Sequence, residues 1–333
     1  MVHCEYTNRY GYMRGMLCPS HASSRLWDVV AGAGLVVMWS SGFIGAHLGT
    51  RQAPADTLLV WRYLVAAVLL VALLLATRRL PRRGGIVRHG LVGVLCQGCY
   101  LGGIVTGVGL GVPTGTAALI AALQPLVVAE VAGVVLQDRP TGRQRAGLAL
   151  GLAGVALVVA GDLHAAPVDG WVYLLPLGGM LALSLGTVLE RHWDLRDGLP
   201  ESLTVQTLAV AAVLVLEAGL AGHLAPPPLA SFWWAVGWVV GLSTFGGYGL
   251  YFLVLRRSGP TQVSTLLYLT PPCTMLWGVA MLGERPGLLA FPGMAVCAAA
   301  VLIVLWSVPR HPRVSREPAA GRPPRRFAGL RGP

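Results

Sequence analysis

The chain has 333 residues, 55% of them hydrophobic and 12% charged, with a mean hydropathy of +0.65. A water-soluble chain of this length carries about 25% charge, so water is excluded as its main solvent. The formal charge of +11 comes from arginine without any lysine; the arginines sit between long apolar runs, which suits a membrane surface and argues against nucleic acid as a partner.

Taken in order, residues 1–26 form a polar arm carrying Arg9, Arg14 and Arg25, with further start codons at Met13 and Met16. The arm lacks the small-residue cleavage pattern of a signal peptide. Ten segments follow that are each apolar for about the 20 residues a helix needs to cross a bilayer. They cover residues 29–48, 57–76, 90–109, 114–136, 144–161, 170–189, 202–222, 231–255, 261–282 and 287–308. Short polar connections rich in Gly and Pro separate them. Residues 309–333 are rich in Arg and Pro, and are expected to form a disordered cytoplasmic tail.

Arginine accumulates in cytoplasmic loops. With the amino terminus inside, only three of the 25 basic residues, Arg51, Arg62 and Arg285, fall elsewhere. Both termini are then cytoplasmic and the protein is a multi-pass protein of the cell membrane.

The segment from Thr114 to Ala160 occurs twice. Leu123, Pro125, Leu136, Arg139, Pro140, Ala149, Val155 and Val158 recur as Leu269, Pro271, Leu282, Arg285, Pro286, Ala295, Val301 and Val304, all displaced by 146. Each copy reads as an apolar helix with an early proline, a polar turn and a second apolar helix. The chain therefore divides into a first half, 27–165, and a second, 166–308. Five spans per half is odd, so the second copy crosses the membrane in the opposite sense. The loops agree: the connection from Arg78 to Arg88 is Arg-rich, whereas its counterpart from Gly222 to Leu229 has no arginine. The expected fold is an all-α membrane protein of ten transmembrane helices in two inverted five-helix repeats.

These features resemble the EamA family of the drug/metabolite transporter superfamily. The resemblance rests on Trp39-Ser-Ser-Gly-Phe43, Trp61-Arg-Tyr-Leu-Val-Ala66, Leu123-Gln-Pro-Leu126 with the Asp138-Arg-Pro140 turn, Tyr248, Leu266-Leu-Tyr-Leu-Thr-Pro271 and Leu282-Gly-Glu-Arg-Pro286. Asp138 stands where the family usually has Glu. The resemblance implies a carrier with a central cavity between inverted halves, alternating access, and export of small organic solutes.

Polar and aromatic residues inside the spans are the candidates for that cavity. Glu130 lies about six residues, roughly 9 Å, from the inner end of its helix and could exchange a proton or instead pair with a neighbouring helix. Its counterpart is Leu276. Arg62 could contact an anionic group of the substrate or reach out to the membrane surface. Pro125 and Pro271 should bend their helices, and Gln124 and Thr270 beside them could present polar atoms to a solute. Ser40 lies in the first motif. Trp39, Tyr100, Tyr248, Tyr251, Tyr268 and Trp277 are away from helix ends and could stack on flat or cationic solutes, or simply pack. Trp27, Trp171, Trp233 and Trp234 suit the interfacial belt. Gly98, Gly102, Gly103, Gly107, Gly147, Gly151 and Gly154 have the spacing of close helix packing.

The remaining signals exclude more than they assign. Cys96-Gln-Gly-Cys99 has metal-like spacing but no second ligand pair, so no metal is expected. No phosphate-binding glycine loop is present, so neither ATP nor another cofactor is expected, and a proton or solute gradient remains as energy source. A lipid-acting membrane enzyme would need clustered acids or histidines near an interface, and His164, His192 and His223 are scattered. An importer or exchanger of sugars, nucleotide sugars or amino acids would share the same fold.

Overall fold

The computed structural model describes residues 21–78, 85–136, 141–165, 168–195, 198–258 and 260–305, and every regular element among them is helical. The Asp138-Arg-Pro140 turn, most of the amino-terminal arm and the Arg/Pro-rich tail lie outside these residues. The elements are α1 (His21–Thr50), α2 (Ala55–Thr77), α3 (Ile86–Gly109), α4 (Thr114–Ala121), α5 (Gln124–Val135), α6 (Gly142–Ala165), α7 (Leu174–His192), α8 (Leu199–Ala221), α9 (Ala230–Ser258), α10 (Pro260–Leu267), α11 (Thr270–Trp277) and α12 (Ala290–Leu305). The arm expected to run to residue 26 is helical from His21, so α1 begins before its apolar stretch.

Among the described residues, eight helical segments are long and apolar enough to cross a membrane. They match the first eight expected spans. The ninth expected span is broken into α10 and α11, and the described part of α12 covers 16 residues of the tenth.

The breaks have a plain cause. Proline lacks an N–H and its ring crowds the preceding turn, so a helix ends ahead of it and restarts with proline in its first turn. Pro125 does this between α4 and α5, and Pro271 between α10 and α11. The restart residues Gln124 and Thr270 differ by 146, as the repeated sequence does. Three π-helical stretches occur among the described residues: Val94–Cys99 within α3, Val239–Gly247 within α9 and Gly278–Leu282, which continues α11.

Glycine sets the closest helix contacts. At Gly154 an added Cβ would meet Gly293 O at 2.9 Å, and at Gly293 it would meet Gly154 O at 2.8 Å, so α6 and α12 touch backbone to backbone. An added Cβ would meet Pro176 at 2.9 Å from Gly107 and Tyr100 O at 2.7 Å from Gly179, so α3 sits close against α7. Without a large solvent-driven term between helices in lipid, such close packing is a main source of cohesion. Trp27, Trp171, Trp233 and Trp234 are all exposed on the outside of the bundle.

Candidate functional site

A ring cluster forms where α1 meets α9. Trp39 lies edge-on to Tyr248 at 5.6 Å and beside Tyr251 at 5.8 Å. Arg62 enters from α2. Its side chain is turned into the protein, with the residue only 6% exposed, and Nη2 donates to Thr244 Oγ1 at 3.2 Å. The Tyr63 ring lies 5.9 Å from the guanidinium carbon. Tyr63, Tyr100 and Tyr248 are all within electrostatic reach of the Arg62 charge. The Arg62 side chain is therefore buried between helices rather than extended to the protein surface.

Thr244 reaches Arg62 because α9 is π-helical there. The Thr244 hydroxyl donates to Val239 O, five residues back, at 3.0 Å, while its oxygen accepts from Arg62. A π-bulge thus fixes the direction of one hydroxyl, a common use of such bulges. The stretch in α3 has a parallel role: buried Gln97 donates through Nε2 to Gln206 Oε1 of α8 at 2.8 Å. Two long polar side chains, one from α2 and one from α8, therefore each meet a π-helical stretch in the opposite half of the chain.

The other expected site residues distribute around this centre. Ser40 donates to Thr270 O at 3.4 Å, both residues buried, and the Thr270 hydroxyl is buried without a hydrogen-bond partner among the described residues. Gln124 donates to Thr187 Oγ1 at 3.3 Å, bringing the restart of α5 onto α7. Trp277 is not in the Trp39 cluster. It lies 5.9 Å from Trp238, whose indole N–H donates to Ser41 O at 3.0 Å. Tyr268 is partly buried in the turn between α10 and α11, with no ring contact to the cluster among the described residues. Pro271 is buried and Pro125 exposed.

Glu130 faces α6, where Arg145 Nε is 3.9 Å from its carboxylate, and is not among the residues that meet the rings. The acid that does approach them is Glu190, which the sequence reading passed over. It follows Leu183, Gly186 and Thr187 on one face of α7. That face meets Cys96 and Gln124, and Tyr248 and Tyr251 lie within reach of the Glu190 charge. Its position beside Arg191 and His192 made it look like an ordinary end-of-helix charge. Among the described residues, no group of three or more His, Cys, Asp or Glu could hold a metal.

At the end of the bundle nearest Thr114, polar groups of the two halves interlock. Thr114 N donates to Glu284 Oε1 and Thr114 Oγ1 to Glu284 Oε2, both at 2.9 Å. Pro113 offers α4 no capping side chain, so the carboxylate that caps it comes from the loop before α12, where the helix dipole favours negative charge. Within the first half Thr116 donates to Asp162 at 2.5 Å, and across the halves Asp56 pairs with His223 at 2.8 Å. Burial pushes the Glu284 carboxyl above the usual carboxylate range, against the Thr114 and Gly115 donors that act the other way.

Apolar spans that bury an arginine, aromatic rings and polar clasps between them define a multi-pass membrane protein. The chain belongs to the EamA-like transporter family, which matches it twice, over residues 26–160 and 170–306. It is 26% identical to an uncharacterized inner membrane transporter, YedA, of Escherichia coli K12, over 81% of this chain and 88% of that one. It is 28% identical to a probable terminal-alkyne amino-acid exporter of Streptantibioticus cattleyicolor, over 85% and 93% of the two chains. An S-adenosylmethionine/S-adenosylhomocysteine transporter of Chlamydia trachomatis is 29% identical over 78% and 84%. A solved crystal structure shares the fold, with a TM-score of 0.58, 21% identity, and coverage of 84% of this chain and 96% of that one. The protein is a membrane transporter rather than a lipid-acting enzyme.

Proposed function

We propose that this chain is a secondary transporter that exports small organic metabolites by alternating access. In this reading ten spans form two inverted five-helix halves, 27–165 and 166–308, with both termini cytoplasmic. The helix breaks at Gln124 and Thr270, displaced like the repeated residues, support the repeat. The Arg62–Thr244 and Gln206–Gln97 clasps also support it, because each joins the second helix of one half to the third helix of the other. Rocking of one half against the other then opens one side at a time. The exporter name borne by one relative supports the outward direction.

The observation that carries the reading is the convergence of Arg62, Tyr63, Tyr100, Trp39 and Tyr248 from both halves in the protein interior. Labelled amino acids and related metabolites should leave proteoliposomes of the purified protein faster than empty liposomes. Equal rates across a broad solute panel, with and without a pH gradient, would refute it. In this reading Glu130 or Glu190 carries a coupling proton, and Glu130→Gln or Glu190→Gln should flatten the pH dependence of transport. A profile unchanged by either substitution removes that acid from the coupling.

A further inference from the structure

Arg62 is a cation without a counter-ion among the described residues. The residue is 94% buried, and no carboxylate among the described residues lies within ion-pair distance of it. A guanidinium has five N–H donors. Among the described residues, a hydrogen bond to Thr244 uses one of them. A buried, uncompensated charge is costly in a membrane protein, and where it persists it marks a ligand path or site.

The groups around it are donors and rings rather than acids. The hydroxyls of Tyr63, Tyr100 and Tyr248 lie within its electrostatic reach, and Trp39 packs edge-on against Tyr248. Thr244 spends its proton on Val239 O and its lone pair on Arg62. That arrangement leaves the guanidinium held on one side and its remaining N–H groups unspent. Glu190 approaches Tyr248 and Tyr251 but makes no ion pair with Arg62 among the described residues.

Resting on the transporter reading above, we propose that the transported solutes are organic anions: a carboxylate or similar oxyanion binds Arg62 and the tyrosine hydroxyls, while an apolar or planar body lies against Trp39 and Tyr248. Arg suits this task because its planar fork binds a carboxylate through two parallel bonds. Thr244 is a positioning residue that fixes the direction of the fork. Two of the wall residues, Trp39 and Tyr248, come from different halves, so the anion is held where relative motion of the halves will be felt.

The test uses three probes with one body: 3-phenylpropionate, 3-phenylpropionamide and 3-phenylpropylammonium. Binding to the purified full chain is followed by tryptophan fluorescence. The carboxylate should bind about tenfold or more tightly than the amide, as expected for a hydrogen-bonded charge, and the ammonium should bind most weakly. Arg62→Gln should erase the preference for carboxylate over amide. Thr244→Val, which keeps the charge but frees the guanidinium, should reduce the preference without erasing it, and Arg62→Lys should retain part of it. Equal binding of the three probes, no binding of any, or an undiminished preference in a folded Arg62→Gln variant would overturn the proposal. Proteoliposomes that move the amide or ammonium but not the carboxylate would overturn it while leaving the transporter reading intact. Arg62-dependent carboxylate binding without movement of any solute would do the reverse.

Discussion

Thr114 offers a way to weigh the contact that joins the halves at one end of the bundle. It is fully buried, and its N–H and hydroxyl both donate to Glu284. Thr114→Val removes the hydroxyl donor and keeps the volume. A hydrogen bond to a charged group contributes about 1.5–3 kcal/mol. The backbone donors of Thr114 and Gly115 continue to hold the carboxylate, so the low end applies, about 1.5 kcal/mol, or about tenfold in the equilibrium between closed and open forms of that end. Ala117, fully buried one turn deeper, makes a reporter. In a chain whose native cysteines are replaced, Ala117→Cys should react with a water-soluble maleimide about tenfold faster when Thr114→Val is added. Thr114→Ser should restore the slow rate. The same rate in the Val and Ser variants would show that this contact does not hold the end shut.

The pH dependence of the same contact has a definite sign. Burial raises the Glu284 carboxyl, so the folded protein binds its proton more tightly than the unfolded chain does. The associated stability is present below the ordinary carboxylate range and falls as pH rises through the folded value; Glu284→Gln should remove that slope from thermal unfolding measured across pH. Gln206→Leu should strand the Gln97 amide and lower stability by about 1–2 kcal/mol. Adding Gln97→Leu should cost less than a second equal loss, as a double-mutant cycle by thermal unfolding would show. Gly293→Val should force α6 and α12 apart, because even a Cβ collides with Gly154 O and Val158, and the unfolding midpoint should fall by an amount matching about 1–3 kcal/mol.

Much of the frame was legible because its causes are local. Pro125 and Pro271 break their helices whatever surrounds them, so the two breaks could be read from two letters. The apolar length of the spans is equally direct. The site was harder to read. In a soluble helix an apolar stripe tells which face is inside, but these helices are apolar on every side, so nothing in the sequence told whether Arg62 points to lipid or protein. The π-helical turn that aims Thr244 carries no sequence mark. Glu190 was hidden by its charged neighbours, and Gln97 and Gln206 by the long interval between them. Trp277 was grouped with the cluster because it sits mid-span, yet its partner is Trp238.

The two clasps show how a duplicated frame can acquire one polar site. In both, a long side chain from α2 or α8 meets a π-helical stretch across the halves. Gln97 and Gln206 are two neutral amides bonded to each other, so that contact joins helices and carries no charge for a solute to meet. Among the described residues the Arg62 guanidinium hydrogen-bonds only a hydroxyl, whose proton is already committed to Val239. The remaining guanidinium donors and the whole positive charge are left over. Replacing an amide pair by Arg and Thr therefore keeps the bond between halves and adds an attraction for anions on one side alone. If the halves enclose an anionic solute as proposed, a symmetric vestibule would hold it equally well in two opposed poses, and one charged clasp would select the pose with the anionic group toward α2.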